Sequence, residues 1–340
     1  MQGLVLAVPL ALFAGAAVAA GPAVEFLDGN AARAAIVNDV RDPYFGKLYP
    51  LDMAAKTGAP LSGTINEQRA ETRRRYQQAV RPFRREEQEA IRAYIDALQP
   101  LLRDYPRFAR QPWRFVKVAD HIEGALPHTR DDVIVLSEEV GKSLFDMRQR
   151  LDPETALLRA GMLLVHEQLH VLQRLDPRRF ERLHTETFGF RRAPLTVPEE
   201  LVAIQPANPD GMSCCWLYPR DAGGYWLPYL TFAERSGIRR MPEDFHMLAV
   251  QVALDGNGYR VVRDRDGRVA SVDLASVREY VETFPLTTNY FHPNEIGADV
   301  FSQLVLFDGV AAAHMPVPQR DALEPAFAPL RKAFRDALGW

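Results

Sequence analysis

One stretch constrains this chain more than any other. From Pro153 to Leu175 it reads as a single long helix that is apolar almost all the way round. Asp152 is placed to cap the helix, Pro153 takes the first helical position and Glu154 falls in the first turn, where negative charge meets the positive end of the helix dipole. Asp176-Pro177 ends it, because the residue before a proline avoids helical backbone. Between Arg159 and Arg174 the only formal charge is Glu167; the rest is mostly Leu, Met, Val and Gly. A helix with no polar face is buried on all sides. A carboxylate there costs free energy unless it is paired or lies beside a metal ion.

Glu167 has such company. The run His166-Glu167-Gln168-Leu169-His170 sets two imidazoles four residues apart, on one helix face, where both reach one ion. Glu167 then faces the open side of that ion and can take a proton from a water there, which is why H-E-x-x-H recurs in metallopeptidases. A short motif also arises by chance from satisfied core histidines. The charge-poor helix around this one favours a metal, and the cofactor expected is Zn2+.

A catalytic zinc takes three protein ligands and a water, so a third residue is needed. Asp176 stands where the pattern H-E-x-x-H-x-x-G-x-x-H would place it, but Gln173 replaces the Gly of that turn. His184 and Glu186 lie close downstream with no supporting pattern. Glu295 has one. In His292-Pro293-Asn294-Glu295-Ile296-Gly297-Ala298-Asp299 the proline marks a helix start, and Glu295 and Asp299 share a face one turn apart. The second carboxylate can accept a hydrogen bond from a ligand histidine and fix its tautomer. The plainer alternative is two solvated acids on an exposed helix.

Together the two segments resemble the gluzincins, the thermolysin-like zinc peptidases. The resemblance implies that His166, His170 and Glu295 bind zinc, that Glu167 activates water and that Asp299 supports a ligand histidine. The runs from His166 to Arg174 and from Asn289 to Glu295 are also similar to a set of bacterial metallopeptidase-like sequences. The spacing departs from the thermolysin pattern: 124 residues separate His170 from Glu295, where the best-known members have a few tens. A subdomain spanning about residues 200–285 is therefore expected as an insertion between the ligand helices. Peptide hydrolysis also needs a donor to the developing oxyanion. Tyr290 and His292, which flank the second segment, are the first candidates, followed by Tyr229 and Arg130; each also reads as a structural residue.

The rest of the chain narrows the class. At 340 residues with a formal net charge of −3 and no basic stripe, nucleic-acid binding is not favoured. Residues 1–20 lack a charged side chain and end in Ala17-Val18-Ala19-Ala20, an apolar core and small-residue site that read as a secretory signal peptide. The run is just short of the ~20 residues a bilayer needs, no Cys follows it for a lipid anchor, and no other stretch can span a membrane. The expected location is the periplasm or the exterior. Cys214 and Cys215 are the only cysteines, and as neighbours they are expected to be free thiols.

Residues 22–66 read as loops and short helices, followed by a charged helix from Glu67 to about Leu102, kinked or broken at Pro82, with a solvated charge run. Trp113 to Ser137 reads as strands, with Val133–Leu136 either a plain core strand or an edge on which an extended peptide could dock. Phe245–Leu254, Tyr259–Arg263 and Val269–Leu274, separated by Asp/Gly turns, predict a β-meander. Helices are expected over Asn294–Leu306 and Pro318–Leu338. The fold class expected is α+β and zincin-like. A single domain over residues 21–340 would hold a small sheet and the active-site helix in one lobe, and a mainly helical second lobe with the inserted meander. The function expected is an exported zinc metallopeptidase acting on peptide or protein substrates. A zinc hydrolase of a cell-wall amide and an inactive zinc-stabilised binding module are the alternatives.

Overall fold

The computed structural model describes residues 21–41, 43–211, 214–234, 237–311, 315 and 317–339, so the apolar leader lies outside the described residues. The described residues begin with β1 (Val24–Phe26) and short helices ending in α1 (Pro50–Thr57). Two longer helices, α2 (Ile65–Ala79) and α3 (Arg85–Leu98), flank β2 (Val80–Arg81). Pro82 thus breaks the predicted helix outright, and the chain passes through a short strand before helix resumes. The charge run is not wholly solvated, which corrects that expectation: Glu87 is buried and takes the ammonium of Lys117 at 2.6 Å.

β3 (Trp113–Val118), β4 (His128–Arg130) and β5 (Val133–Ser137) complete a mixed five-stranded sheet. β5 and β1 run parallel to β3, whereas β2 and β4 are antiparallel to their partners. Of the two readings of Val133–Leu136, the core strand is the one that forms. Asp131 adopts a left-handed φ of 49° and turns the chain, so β4 takes the edge and β5 is buried inside the sheet. Side chains alternate across this sheet as strand geometry requires. Phe115, Ile134 and Leu136 join the main helical core, while Val116, Val133 and Val135 pack against the amino-terminal helices.

α4 (Glu138–Arg150) leads into α5 (Pro153–Leu175), which forms over the range its caps predict; Asp152 Oδ1 accepts the Thr155 N–H at 2.9 Å. The second sheet follows: β6 (Arg191–Arg192), β7 (Trp216–Pro219), β8 (Tyr225–Phe232), β9 (Phe245–Asp255), β10 (Gly258–Val261) and β11 (Ser271–Asp273). It is antiparallel throughout, in the order β10-β9-β8-β7-β6. The predicted hairpins form, β9 with β10 and then a bridge from Arg263 to Val269, but β11 also pairs back onto β9, which a simple meander would not do. β8 was not predicted. Its Pro228 argues against a central strand, yet β7 pairs with β8 only at Tyr225 and Trp226, so the proline faces no ladder on that side. Cys214 and Cys215, expected as free thiols, are joined to each other in a disulfide.

α6 (Pro293–Leu306) and α7 (Val317–Leu338) close the chain. Among the described residues no helix is long and apolar enough to cross a membrane. α5 crosses α6 closely because glycine stands at the contact: a Cβ on Gly161 would lie 2.9 Å from Leu306 Cδ2 and 3.2 Å from Leu98 Cδ2. Substitution Gly161→Val is expected to force these helices apart at a cost of about 1–3 kcal/mol, read as an earlier denaturant midpoint. An unchanged midpoint would show that the crossing is not tight.

Candidate metal centre

α5 presents His166 and His170 towards α6, and α6 answers with Glu295. His166 Nδ1 lies 2.8 Å from Asp299 Oδ1, one helical turn beyond Glu295. His170 Nδ1 lies 2.8 Å from Gln173 Oε1, whose amide orientation is set by donation from Gln173 Nε2 to the Asn294 carbonyl at 3.0 Å. Each Nδ1 therefore bears a proton, and each Nε2 turns inward. The two Nε2 atoms are 2.9 Å apart. Two lone pairs that close repel unless a proton or a metal ion lies between them.

Glu295 Oε2 completes the triangle, 3.6 Å from His166 Nε2 and 3.5 Å from His170 Nε2. Ligand atoms about 2.0–2.1 Å from a tetrahedral ion stand roughly 3.3 Å apart, so the spacing suits one small dication. His166, His170 and Glu295 can hold a metal ion. Their orientation is fixed from outside: Asn208 and Asn289 donate to the two oxygens of Glu295 at 2.5 and 2.7 Å, and Thr287 Oγ1 donates to Asp299 at 2.5 Å. Such outer partners hold ligands in their binding tautomer and rotamer.

The charges respond to one another. Burial opposes ionisation of Glu295, but His170 and His166 outweigh it and hold the carboxyl well below its ordinary range. Burial likewise disfavours imidazolium at His166, yet hydrogen bonds to Asp299 and Glu295 raise it well above the usual histidine value; His170 is raised against burial by Glu295 and Asp210. Glu167 behaves oppositely. Burial first, and then Asp210, push it up to about 8, although both histidines pull the other way. Its Oε2 is buried without a hydrogen-bond partner.

Glu167 and the three ligands line a cavity of about 260 Å³. One wall is the segment Pro206–Asp210; another holds Lys56, Glu123 and His128. Lys56 is wholly buried, 2.6 Å from Glu123 Oε2 and 3.6 Å from Asp52 Oδ1. Tyr44 and Tyr76 also donate to Glu123. Glu123, Gly124 and Ala125 are all left-handed, with φ of 52°, 62° and 63°. The middle one is glycine because a Cβ there would sit 2.5 Å from the Met241 carbonyl.

The other expected residues fall elsewhere. Tyr290 packs on Tyr280 in the core and His292 caps α6 through Nδ1, so neither expected oxyanion donor lines this cavity. Tyr229 donates to Gln205, and Arg130 is buried over Tyr44 and bonded to Asp39. Asp176 pairs with Arg179, Glu186 pairs with Arg182, and His184 is buried among Phe188 and Trp216. Gln173 was legible in principle, three residues from His170 on the same helix; Asn208, His128 and Lys56 carry no local pattern.

No protein-family model, curated protein or solved structure matches the chain.

Metal analysis should separate the ligands from their neighbours. His170→Ala and Glu295→Ala are expected to abolish stoichiometric binding, Asp299→Asn to weaken it about 10–100-fold, and Asp176→Ala to leave it intact. Because His166 and His170 are raised, protons compete for the ligand nitrogens above the ordinary histidine range. Affinity should therefore climb with pH through that raised range and fall below it. Calorimetry at pH 7 in buffers of different ionisation enthalpy should show protons released on binding; an uptake free of proton release would contradict the assignment.

Proposed function

We propose that this chain is a zinc-dependent hydrolase of peptide bonds, of the gluzincin type, with His166, His170 and Glu295 as ligands. The observation that carries this is Glu167: a buried carboxylate oxygen without a partner, adjacent in sequence to a ligand and lining the same cavity. A purely structural site would gain nothing from an orphaned acid, which costs free energy to bury. A zinc ion held there would supply Lewis-acid polarisation of the scissile carbonyl and a more acidic water.

The residues do the rest. Asp299 and Gln173 hold the two imidazoles with their Nε2 atoms inward, which preorganises the site. Glu167 takes a proton and then delivers it to the leaving amine, a double duty suited to a group whose pKa lies close to the working pH. Burial pushes the Glu167 carboxyl up to about 8, the direction such a role calls for. Gln168 is turned away, donating to the carbonyls of Gln111 and Pro112, and so ties α5 to the sheet instead of to the chemistry. The apolar leader supports export as part of this reading, with a mature chain expected to begin near Ala20 or Gly21.

Glu167→Gln is the direct test. It should keep zinc at wild-type stoichiometry and lower hydrolysis of a peptide library by about 10²–10⁴-fold. Undiminished turnover in that variant would sink the mechanism.

A further inference from the structure

The edge strand of the first sheet offers an extended substrate little room. The Thr129 N–H of β4 already donates to Asp210 Oδ1 at 3.1 Å, and the segment Asn208–Asp210 covers it. Space lies on the other side of that segment. The metal cavity adjoins a second cavity of about 630 Å³, and Pro206, Ala207, Asn208, Leu230 and Phe291 line both. The three metal ligands line only the smaller compartment. The larger falls within the roughly 300–1,000 Å³ of ordinary ligand pockets. Together they form one cleft with the ion in its smaller part.

The walls of the larger compartment have a definite chemistry. Leu227, Tyr229 and Leu230 of β8 give it a buried apolar side. Two cations, Lys47 and Arg69, also line it, and no aspartate or glutamate stands among the described residues that do so. Arg69 is half-buried on α2, and its Nε donates to the Leu48 carbonyl at 3.2 Å. That bond fixes the plane of the guanidinium and leaves Nη1 and Nη2 without a partner among the described residues. The other arginines of α2 are all taken, Arg73 by Asp39 and both Arg74 and Arg75 by Glu71. A guanidinium held in place with its outer fork open matches the two oxygens of a carboxylate.

We propose that the larger compartment is a substrate subsite, which takes apolar residues along β8 and a substrate carboxylate at Arg69. The carboxylate belongs either to the chain end or to an acidic side chain. For its chemistry the inference rests on the hydrolase reading, but binding alone tests it. The zinc-loaded full chain is titrated calorimetrically with leucine peptides of one to three residues, each capped at its amino end by a malonyl hydroxamate that chelates the ion. Each length is made with a free terminal carboxylate, as the terminal amide, and as an amide whose last residue is glutamate.

At the length that reaches Arg69, a carboxylate-bearing probe is expected to bind about 10–100-fold tighter than the plain amide, the effect of a charge-assisted pair. A preference for the free end assigns the chain terminus, and a preference for the glutamate probe assigns a side chain. Arg69→Gln should bring the ratio to near one, and Arg69→Lys, which keeps the charge without the fork, should keep part of it. Zinc content and unfolding midpoint are measured for both variants, so that misfolding is not mistaken for lost recognition. Equal affinities at every length, or a preference that survives in Arg69→Gln, would overturn the proposal. Peptide cleavage beside such equal affinities would leave the hydrolase reading standing. A carboxylate preference with no peptide cleaved would support the subsite and remove the hydrolase reading instead.

Discussion

Everything near the centre of this molecule depends on how α5 can bury polar groups in an apolar helix. Glu167, His166 and His170 are carried into the interior, where unpaired charge is costly. α6 answers with Glu295 and Asp299 from one face, and the pairing is possible only because Gly161 and Gly297 let the helices approach. The crossing is at once a packing contact and an electrostatic one. Loosening it would separate the ligands from the groups that orient them.

That centre was unusually legible. The capping residues of α5, the two histidines and the acid between them are contiguous, so helical geometry alone places them together. Glu295 was a harder step, since 124 residues intervene, and it rested on a second short pattern with its own helix start. The geometry brings Glu295 to the histidines and leaves Asp176, His184 and Glu186 in other company.

What was not legible has physical reasons. β8 is apolar on nearly every residue and contains a proline, so it shows neither alternation nor the composition of a central strand, and without it the second sheet looked like a small meander. Tyr290 and His292 were drawn in by sequence proximity to Glu295, but both precede the helix: Tyr290 packs on Tyr280 and His292 caps the helix start. Asn208 and His128 are distant from both motifs and join them only through the tertiary fold. Lys56 has no local sequence pattern that marks it as buried; its burial is stabilised by carboxylates from its own helix and from a left-handed turn 67 residues on.

Asn294 is a mechanical joint between two parts of the site. Its carbonyl accepts Gln173, which sets the tautomer of His170, while its side chain grips the carbonyl of Asp210 in the segment covering the sheet edge. One residue thus couples the stiffness of a ligand to the position of the cover. A substitution at Asn294 would therefore disturb the tautomer of a ligand and the placement of Asp210 together.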